Sequence, residues 1–378
     1  MKKKLLFVVN VDWFFVSHRL PIAIQALDEG YEVHLACSVT NSRELIESLG
    51  IIVHDLPISR SGTNLVRELI TLSALFKVIK KVNSDIIHSV TIKPVIYANI
   101  IARVLGNSKR ISSISGLGYV FIADGFKAKI FRFIVSGLYK LALTGSDCVI
   151  FQNTEDRDAL SKLGVVNIHQ EVIIRGSGVN LDNYIVYPEP DSGMVVMLVA
   201  RLLIDKGVHE FVKAAELVHK QCSSVRMVLV GDIDPDNPKS ITIDQIKSWV
   251  DSNVIEHWGY SYNVSNTMSK ANIVVLPSYR EGLPKCLIEA AACGRAVITT
   301  DVPGCRDAIE VGKTGLLVPP RNIEILAEAI VILVNNNVMR LGFGQNGRLL
   351  AESEFRINDV IKKHLDIYHC SLTNVRDI

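Results

Sequence analysis

A chain of 378 residues is too long for one ordinary hydrophobic core and suits two domains. A hydrophobic share of 48% against 21% charged excludes a disordered chain, and a formal net charge of +2 excludes a nucleic-acid binder that relies on global basicity. Seven cysteines without a C-x-x-C pair exclude a zinc ribbon or a disulfide framework and point to reduced thiols in a cytosolic setting.

The first ten residues imitate a signal peptide. Their apolar run is short, soon meets Asp12, His18 and Arg19, and has no small-residue cleavage site, so it predicts a buried strand over residues 5–10. No stretch reaches the ~20 apolar residues of a membrane-spanning helix. A helix over 22–27 ending near Gly30, a strand over 32–37, a helix over 41–49 stopped by Gly50, a strand over 51–56, a helix over 64–82 and a strand over 85–89 follow. Residues 147–152 and 172–174 read as later strands. This rhythm predicts a parallel, doubly wound sheet.

Residues 180–193 carry Pro188, Pro190 and Gly193 among polar residues and read as a linker. The rhythm then restarts. Strands are predicted over 194–200, 226–231, 254–257, 273–277, 296–300 and 315–318, with helices over 209–220, 287–293 and 323–335. A last helix, about 357–369, follows a break near 352–356. The chain thus divides into a first α/β domain over 1–179, the linker, and a second over 194–355.

Chemistry concentrates in the second half. In Pro277-Ser278-Tyr279-Arg280-Glu281-Gly282-Leu283-Pro284-Lys285-Cys286-Leu287-Ile288-Glu289, a strand ends, a turn carries Glu281, and Pro284 suits the first position of a new helix. Free N–H groups at that helix end favour an anion such as a diphosphate. Glu289 lies about 7 Å further along the helix at 1.5 Å per residue, so two carboxylates could hold the two ends of a nucleotide sugar. The segment from Val199 to Gly207 places Arg201 and Lys206 after the second domain's first strand, where two cations can neutralise a departing diphosphate. Either feature alone fits an ordinary polar turn. Together, at strand ends of one sheet, they are complementary to one ligand.

The spacing Glu281-x₇-Glu289 after Arg201 and Lys206, with Val230-Gly231-Asp232, the Gly259 region and Thr314-Gly315-Leu316-Leu317-Val318, resembles family 4 of the retaining glycosyltransferases. The resemblance implies a GT-B fold: two Rossmann-like domains facing across a cleft, with a C-terminal helix (356–378) crossing back to the first. It implies catalysis without a metal or other cofactor, with Arg201 and Lys206 on the donor phosphates, Glu281 by the donor sugar and Glu289 on the ribose. Gly282 and Leu283 would offer backbone N–H groups. UDP is the nucleotide that the relatives lead one to expect.

The first half is most similar to bacterial transferases that extend undecaprenyl-diphosphate-linked glycans for O-antigen, capsule or N-linked oligosaccharides. The matching pieces are His18-Arg19, Ser89 to Lys93, Gly116-Leu117-Gly118 and Gly125-Phe126-Lys127-Ala128. A relative's histidine before the lysine is replaced here by Ile92, so no catalytic histidine is assigned there. His18, Arg19 and Lys93 are candidate acceptor contacts, Arg19 and Lys93 through a phosphate. Over 126–143, Lys129, Arg132, Ser136 and Lys140 share one helical face, and Ile130, Phe131, Phe133, Ile134, Leu138, Tyr139 and Leu141 crowd the rest. Such a helix fits a core helix with a solvated basic stripe, or one at a membrane interface drawing in lipid diphosphates. A lipid-linked saccharide acceptor, peripheral contact with the cytoplasmic face of the inner membrane, and no nucleic-acid partner follow from this reading. Asp12 is the acidic residue to test as a base. A UDP-sugar epimerase of the same fold and a non-catalytic nucleotide-sugar-binding protein are the competing functions. A dinucleotide dehydrogenase is disfavoured by the lack of G-x-G-x-x-G after the first strand.

Overall fold

The computed structural model describes residues 2–59, 64–117, 125–190, 193–235 and 237–373. The chain forms two compact units, Met1–Ser177 with Asn358–Ile378, and Gly178–Ile357.

The first unit is built on a parallel sheet of seven strands in the order β3-β2-β1-β4-β5-β6-β7. These are β1 (Lys4–Val11), β2 (Glu32–Ser38), β3 (Ile52–Asp55), β4 (Ile86–Val90), β5 (Lys109–Ile114), β6 (Cys148–Phe151) and β7 (Glu171–Ile173). Residues 5–9 of β1 are all buried, because helices cover both faces of a parallel sheet and its strands need apolar side chains on each. On one face, Leu6 and Val8 pack with α4 (Leu65–Val82) and α5 (Ile92–Leu105), and α6 (Phe126–Leu143) continues the layer. On the other, Leu5, Phe7 and Val9 pack with α1 (Asp12–His18), α2 (Leu20–Asp28) and the last helix of the chain, α14 (Ile357–Thr373). α14 is fastened from within. Tyr368 Oη lies 2.6 Å from His88 Nδ1, and His88 Nε2 lies 2.7 Å from Ser113 Oγ. Burial holds His88 well below the usual histidine range, so it is neutral here.

Helix α3 (Arg43–Ser48) follows β2 and α7 (Thr154–Lys162) follows β6. Helix α4 begins where residue 64 predicts. The Asn64 side chain accepts the Val66 and Arg67 N–H groups, and Asn83 closes the helix in the left-handed region. Helix α5 and strand β5 have no counterpart in the predicted series. The α5 sequence is apolar on nearly every side, as befits a helix between two others, and shows no amphipathic period. Residues 12–18, unassigned in the predicted series, form α1.

The second unit carries a parallel sheet in the order β10-β9-β8-β11-β12-β13. The strands are β8 (Val195–Val199), β9 (Arg226–Val230), β10 (Glu256–His257), β11 (Ile273–Leu276), β12 (Ala296–Thr300) and β13 (Gly315–Val318). Helices α8 (Val208–Gln221), α9 (Ile243–Asp251) and α12 (Ile323–Asn335) bury one face, α10 (Val264–Ser269) and α11 (Lys285–Ala292) the other, and α13 (Asn337–Glu354) contributes to both, with Phe343 to the first and Leu350 and Ala351 to the second. Helix α13 was hidden by three glycines, poor helix formers that leave no periodic apolar signal.

Residues 178–190 belong to this unit and do not form a free linker. The Val179 N–H donates to the Phe355 carbonyl and the Val179 carbonyl accepts from the Ile357 N–H, Arg348 donates to the Tyr184 carbonyl, and Glu189 pairs with Arg340 at 2.9 Å. Of the polar residues that suggested a linker, Glu189 meets two buried partners, Arg340 and Asn272.

Candidate functional site

Strands β8 and β11 lie side by side where the strand order reverses, and open α/β sheets take ligands at the carboxyl ends of such a pair. The loop after β8 carries Arg201 and Lys206, and the loop after β11 carries Ser278 to Pro284. Their backbones touch. A Cβ on Gly207 would stand 2.1 Å from the Pro277 carbonyl oxygen, and its φ of 74° also favours glycine. The Tyr279 N–H donates to the Asp205 carbonyl at 2.9 Å. On the other side Gly231 packs on Ala200, with only 1.9 Å between a virtual Cβ and the Ala200 oxygen, and donates to the Gly259 carbonyl.

This backbone contact delivers the side chains to each other. Lys206 Nζ donates to Glu281 Oε1, and Ser278 Oγ lies 2.6 Å from the same oxygen. Burial pulls the Lys206 ammonium down, but the adjacent Glu281 carboxylate outweighs it and raises the pKa, so the lysine stays charged. Arg201 is half exposed and donates to Asp234 Oδ2 at 2.8 Å. Gly282 and Leu283 are buried in the turn that leads to α11. Pro284 is the N-cap of that helix with extended backbone, one position earlier than predicted. Glu289 is 5% exposed. Tyr184 Oη donates to its Oε1 at 2.6 Å and Lys285 Nζ approaches to 3.5 Å. Burial pushes Glu289 up more than Lys285 and Tyr184 pull it down.

A groove of about 410 Å³ begins at Val230, one residue before Gly231, and is lined by Trp258, Tyr260, Ser261, Asn263, Asn266 and Thr267. It continues the line of contacts from Arg201 through Gly231 and Gly259. Sequence reasoning missed Asp234, Ser278 and Tyr184 as partners of the charged residues. Ser278 stood in the quoted motif, while Tyr184 had no signal because its partner lies 105 positions away.

The first unit arranges its predicted residues differently. Asp12 is fully buried and accepts from the backbone N–H groups of Trp13, Thr40 and Ser42 and from the Thr40 hydroxyl. Burial alone would raise its pKa, but these bonds lower it, and they make it an anchor between loops. Arg19, predicted to meet a phosphate, is 2% exposed. It lies in the break between α1 and α2 with its guanidinium turned inward, donating to the His18 carbonyl, and burial draws its pKa down to about 10. His18 is partly exposed and stacked on Phe14 at 4.2 Å. Lys93 already holds a carboxylate, Glu68 Oε1 at 2.6 Å. On α6, Lys129 and Lys140 are exposed and Arg132 half-buried. The helix buries only a narrow face through Val135, Tyr139, Ala142 and Leu143, so most of its apolar side chains face outward. Of the matching pieces, Gly118 and the side chains of 126–128 lie outside the described residues. Thr91, at the carboxyl end of β4, has φ of 75° and a buried hydroxyl without a partner among the described residues.

Among the described residues no three histidine, cysteine or carboxylate side chains gather as a metal cluster, and no single helix is long and apolar enough to cross a membrane.

Two family models match the chain: Glycosyl transferase 4-like over residues 4–153, and Glycosyl transferases group 1 over residues 193–336. Together they span more than three quarters of it. The chain belongs to the group 1, family 4-like glycosyltransferases. This glycosyltransferase is 28% identical, over 96% of its length and 99% of the relative's, to the Campylobacter jejuni N,N'-diacetylbacillosaminyl-diphospho-undecaprenol alpha-1,3-N-acetylgalactosaminyltransferase. Among solved structures, sucrose-phosphate synthase from Thermosynechococcus elongatus superposes with a TM-score of 0.81 at 19% identity, covering 99% of this chain and 100% of that one. HepE from Anabaena, solved with UDP and glucose, gives 0.79 at 17% identity, covering 97% and 99%. These structures establish the GT-B fold of the glycosyltransferase. The matched models are those of transferases, which sets aside the epimerase and the non-catalytic binding protein.

Proposed function

We propose that the enzyme transfers a hexose or N-acetylhexosamine, with retention, from a UDP-sugar to a saccharide carried on a lipid diphosphate, in surface-glycan assembly at the cytoplasmic face of the inner membrane. The observation that carries the donor half is the meeting of Arg201, Lys206, Ser278 and Glu281 at the carboxyl ends of β8 and β11. In this reading Arg201 and Lys206 take the diphosphate, with Gly282, Leu283 and the start of α11 adding N–H groups. Glu281 faces the donor sugar, Glu289 takes the ribose hydroxyls, and the groove from Val230 to Thr267 receives the base. The acceptor hydroxyl oxygen bonds to the anomeric carbon as the carbon–oxygen bond to the diphosphate breaks. The hydroxyl proton goes to a leaving phosphate oxygen on the same face. Lys206 and Arg201 stabilise the charge that develops, so the step is proposed to need no metal.

The acceptor half is supported by the Campylobacter jejuni relative, whose name gives a diphospho-undecaprenol acceptor. His18 and the exposed Lys129 and Lys140 are the acceptor contacts we retain, with Arg132 and Lys93 in second place because both are partly withdrawn from solvent. A panel of UDP- and GDP-sugars assayed with short lipid-diphosphate acceptors, with and without a chelator, tests the reading. Transfer from a UDP-sugar with α-linked product, undiminished by chelator, is expected. Conversion of the donor without acceptor, or no transfer from any UDP-sugar, overturns it.

A further inference from the structure

Strand β11 lies between β8 and β12 in its sheet, so the turn from Ser278 to Leu283 has a neighbouring strand's loop on each side. On the β8 side it meets Gly207 and the Asp205 carbonyl, which accepts from the Ser278 hydroxyl at 3.0 Å. On the β12 side it meets the segment from Thr300 to Gly304, and here too the contact is made by backbone. The Glu281 N–H donates to the Pro303 carbonyl at 3.2 Å. Gly304 lies against the Glu281–Gly282 peptide itself. A Cβ at Gly304 would stand 2.5 Å from both carbonyl oxygens and 2.7 Å from the Glu281 carbonyl carbon, closer than real Cβ atoms come. Neither neighbour is a side chain that could turn away. The hydroxyl of Thr300, a residue 1% exposed, donates to the Ser278 carbonyl.

The loop that makes these contacts is itself fixed. Val302, Cys305 and Ala308 are buried in the core cluster that holds α11. The Asp307 carboxylate accepts the Gly304 N–H at 3.0 Å, and the Arg306 N–H donates to the Val302 carbonyl at 3.1 Å. The Glu281 carboxylate, by contrast, is held only through Lys206 and Ser278 in the printed geometry of its side chain. A lysine stem is flexible, and Ser278 belongs to the same turn, so neither determines where the turn stands. The backbone contacts on its two flanks do.

We propose that Thr300 and Gly304 are positioning residues for sugar transfer: the loop after β12 sets the position of the turn and so of the Glu281 carboxylate. Both act through Glu281, and the proposal rests on the reading that Glu281 faces the donor sugar. A reacting geometry is only as exact as the groups that support it, and an error of about 1 Å costs about 10²-fold in rate. Only glycine allows the Gly304 contact, because any side chain there would push the Glu281–Gly282 peptide away from β12.

The test compares Gly304→Ala with Gly312→Ala in the full chain. The two glycines have φ of 78° and 72°, so alanine brings the same backbone strain to each, but a Cβ at Gly312 meets nothing within 4 Å. Gly304→Ala is expected to lower kcat about 10²-fold while the dissociation constant for UDP changes less than about threefold, and Gly312→Ala to keep kcat within about twofold. Thr300→Val keeps the side-chain shape, loses the bond to Ser278, and is expected to lower kcat about tenfold, with Thr300→Ser restoring it. It decides the matter if Gly304→Ala does not fold. Amide hydrogen exchange at Glu281 is expected to quicken about tenfold or more in Gly304→Ala and to stay unchanged in Gly312→Ala. Wild-type kcat in Gly304→Ala, an equal loss in Gly312→Ala, UDP binding lost in step with kcat, no rescue by serine, or unchanged exchange at Glu281 would each overturn the proposal. A wild type that transfers from no UDP-sugar overturns the donor reading instead, and exchange at Glu281 then still decides whether the β12 loop holds the turn.

Discussion

The two sheets share a topology, yet the points at which their strand order reverses hold different chemistry. At β8 and β11, two loops touch backbone to backbone and bring Lys206, Glu281 and Ser278 into one hydrogen-bonded group, with Arg201 half exposed beside them. At β1 and β4 the acidic residue, Asp12, is sealed inside the fold as an anchor, and the nearby Arg19 is turned inward. The same strand pattern therefore surrounds different side chains in each unit, a charged hydrogen-bonded group in the second and a buried anchor in the first.

Breaking the second-unit cluster should have the largest effect. Lys206→Ala, Glu281→Ala and Arg201→Ala are each expected to lower transfer about 10²- to 10³-fold, the usual loss for one transition-state donor, with melting temperatures near that of wild type. Steady-state rates and thermal melts check this, and wild-type-like turnover in all three would remove the donor site from β8 and β11.

Asp12→Asn sharpens the contrast. It should cost stability, about 3 kcal/mol by denaturant titration, because a buried carboxylate that accepts four hydrogen bonds is replaced by a weaker acceptor with its own donors. Turnover per folded molecule should stay within about threefold, a small change beside the 10²-fold loss of a catalytic group. The folded pKa of Asp12 is depressed, so its contribution is present above the unfolded value of about 3.9 and is lost as pH falls through the folded one. The gap between wild type and variant should therefore close in acid. A large loss of kcat with stability intact would restore Asp12 as a base.

Glu289→Gln should separate binding from stability. Donor KM is expected to rise about tenfold, equivalent to 1.4 kcal/mol of lost binding. The carboxyl is raised by burial, so ionising it in the folded state opposes folding once pH exceeds the unfolded value near 4.3. The amide should thus melt slightly higher than wild type at neutral pH and no higher at pH 4. A lower melting point at pH 7.5 would contradict that sign.

The smallest effect is expected at Arg19→Met. A buried guanidinium without a carboxylate partner among the described residues contributes little to stability, and an apolar replacement of similar length should be neutral or mildly stabilising. A tenfold rise in acceptor KM with an unchanged melt would show that Arg19 reaches the acceptor after all.

Much of this was legible in the order of residues. Apolar runs marked every described strand except β5, because a parallel sheet covered on both faces needs them. The turn and helix-end chemistry around Arg201, Lys206, Glu281 and Glu289 marked the proposed donor site, because the two charged features together, at strand ends of one sheet, are complementary to one ligand. Helices α5 and α13 escaped, one too apolar and one too rich in glycine to show a period, and so did the short helices α1, α7, α9 and α10, of two and a half turns or fewer. What only the tertiary structure decided was which polar groups are available. It turned Arg19 inward, gave Lys93 to Glu68, made residues 178–190 part of the second unit through Tyr184 and Glu189, and left the apolar side of α6 facing out. The physical reason is common to all four. A side chain's type is local, but its burial and its partner are set by residues far away in the chain.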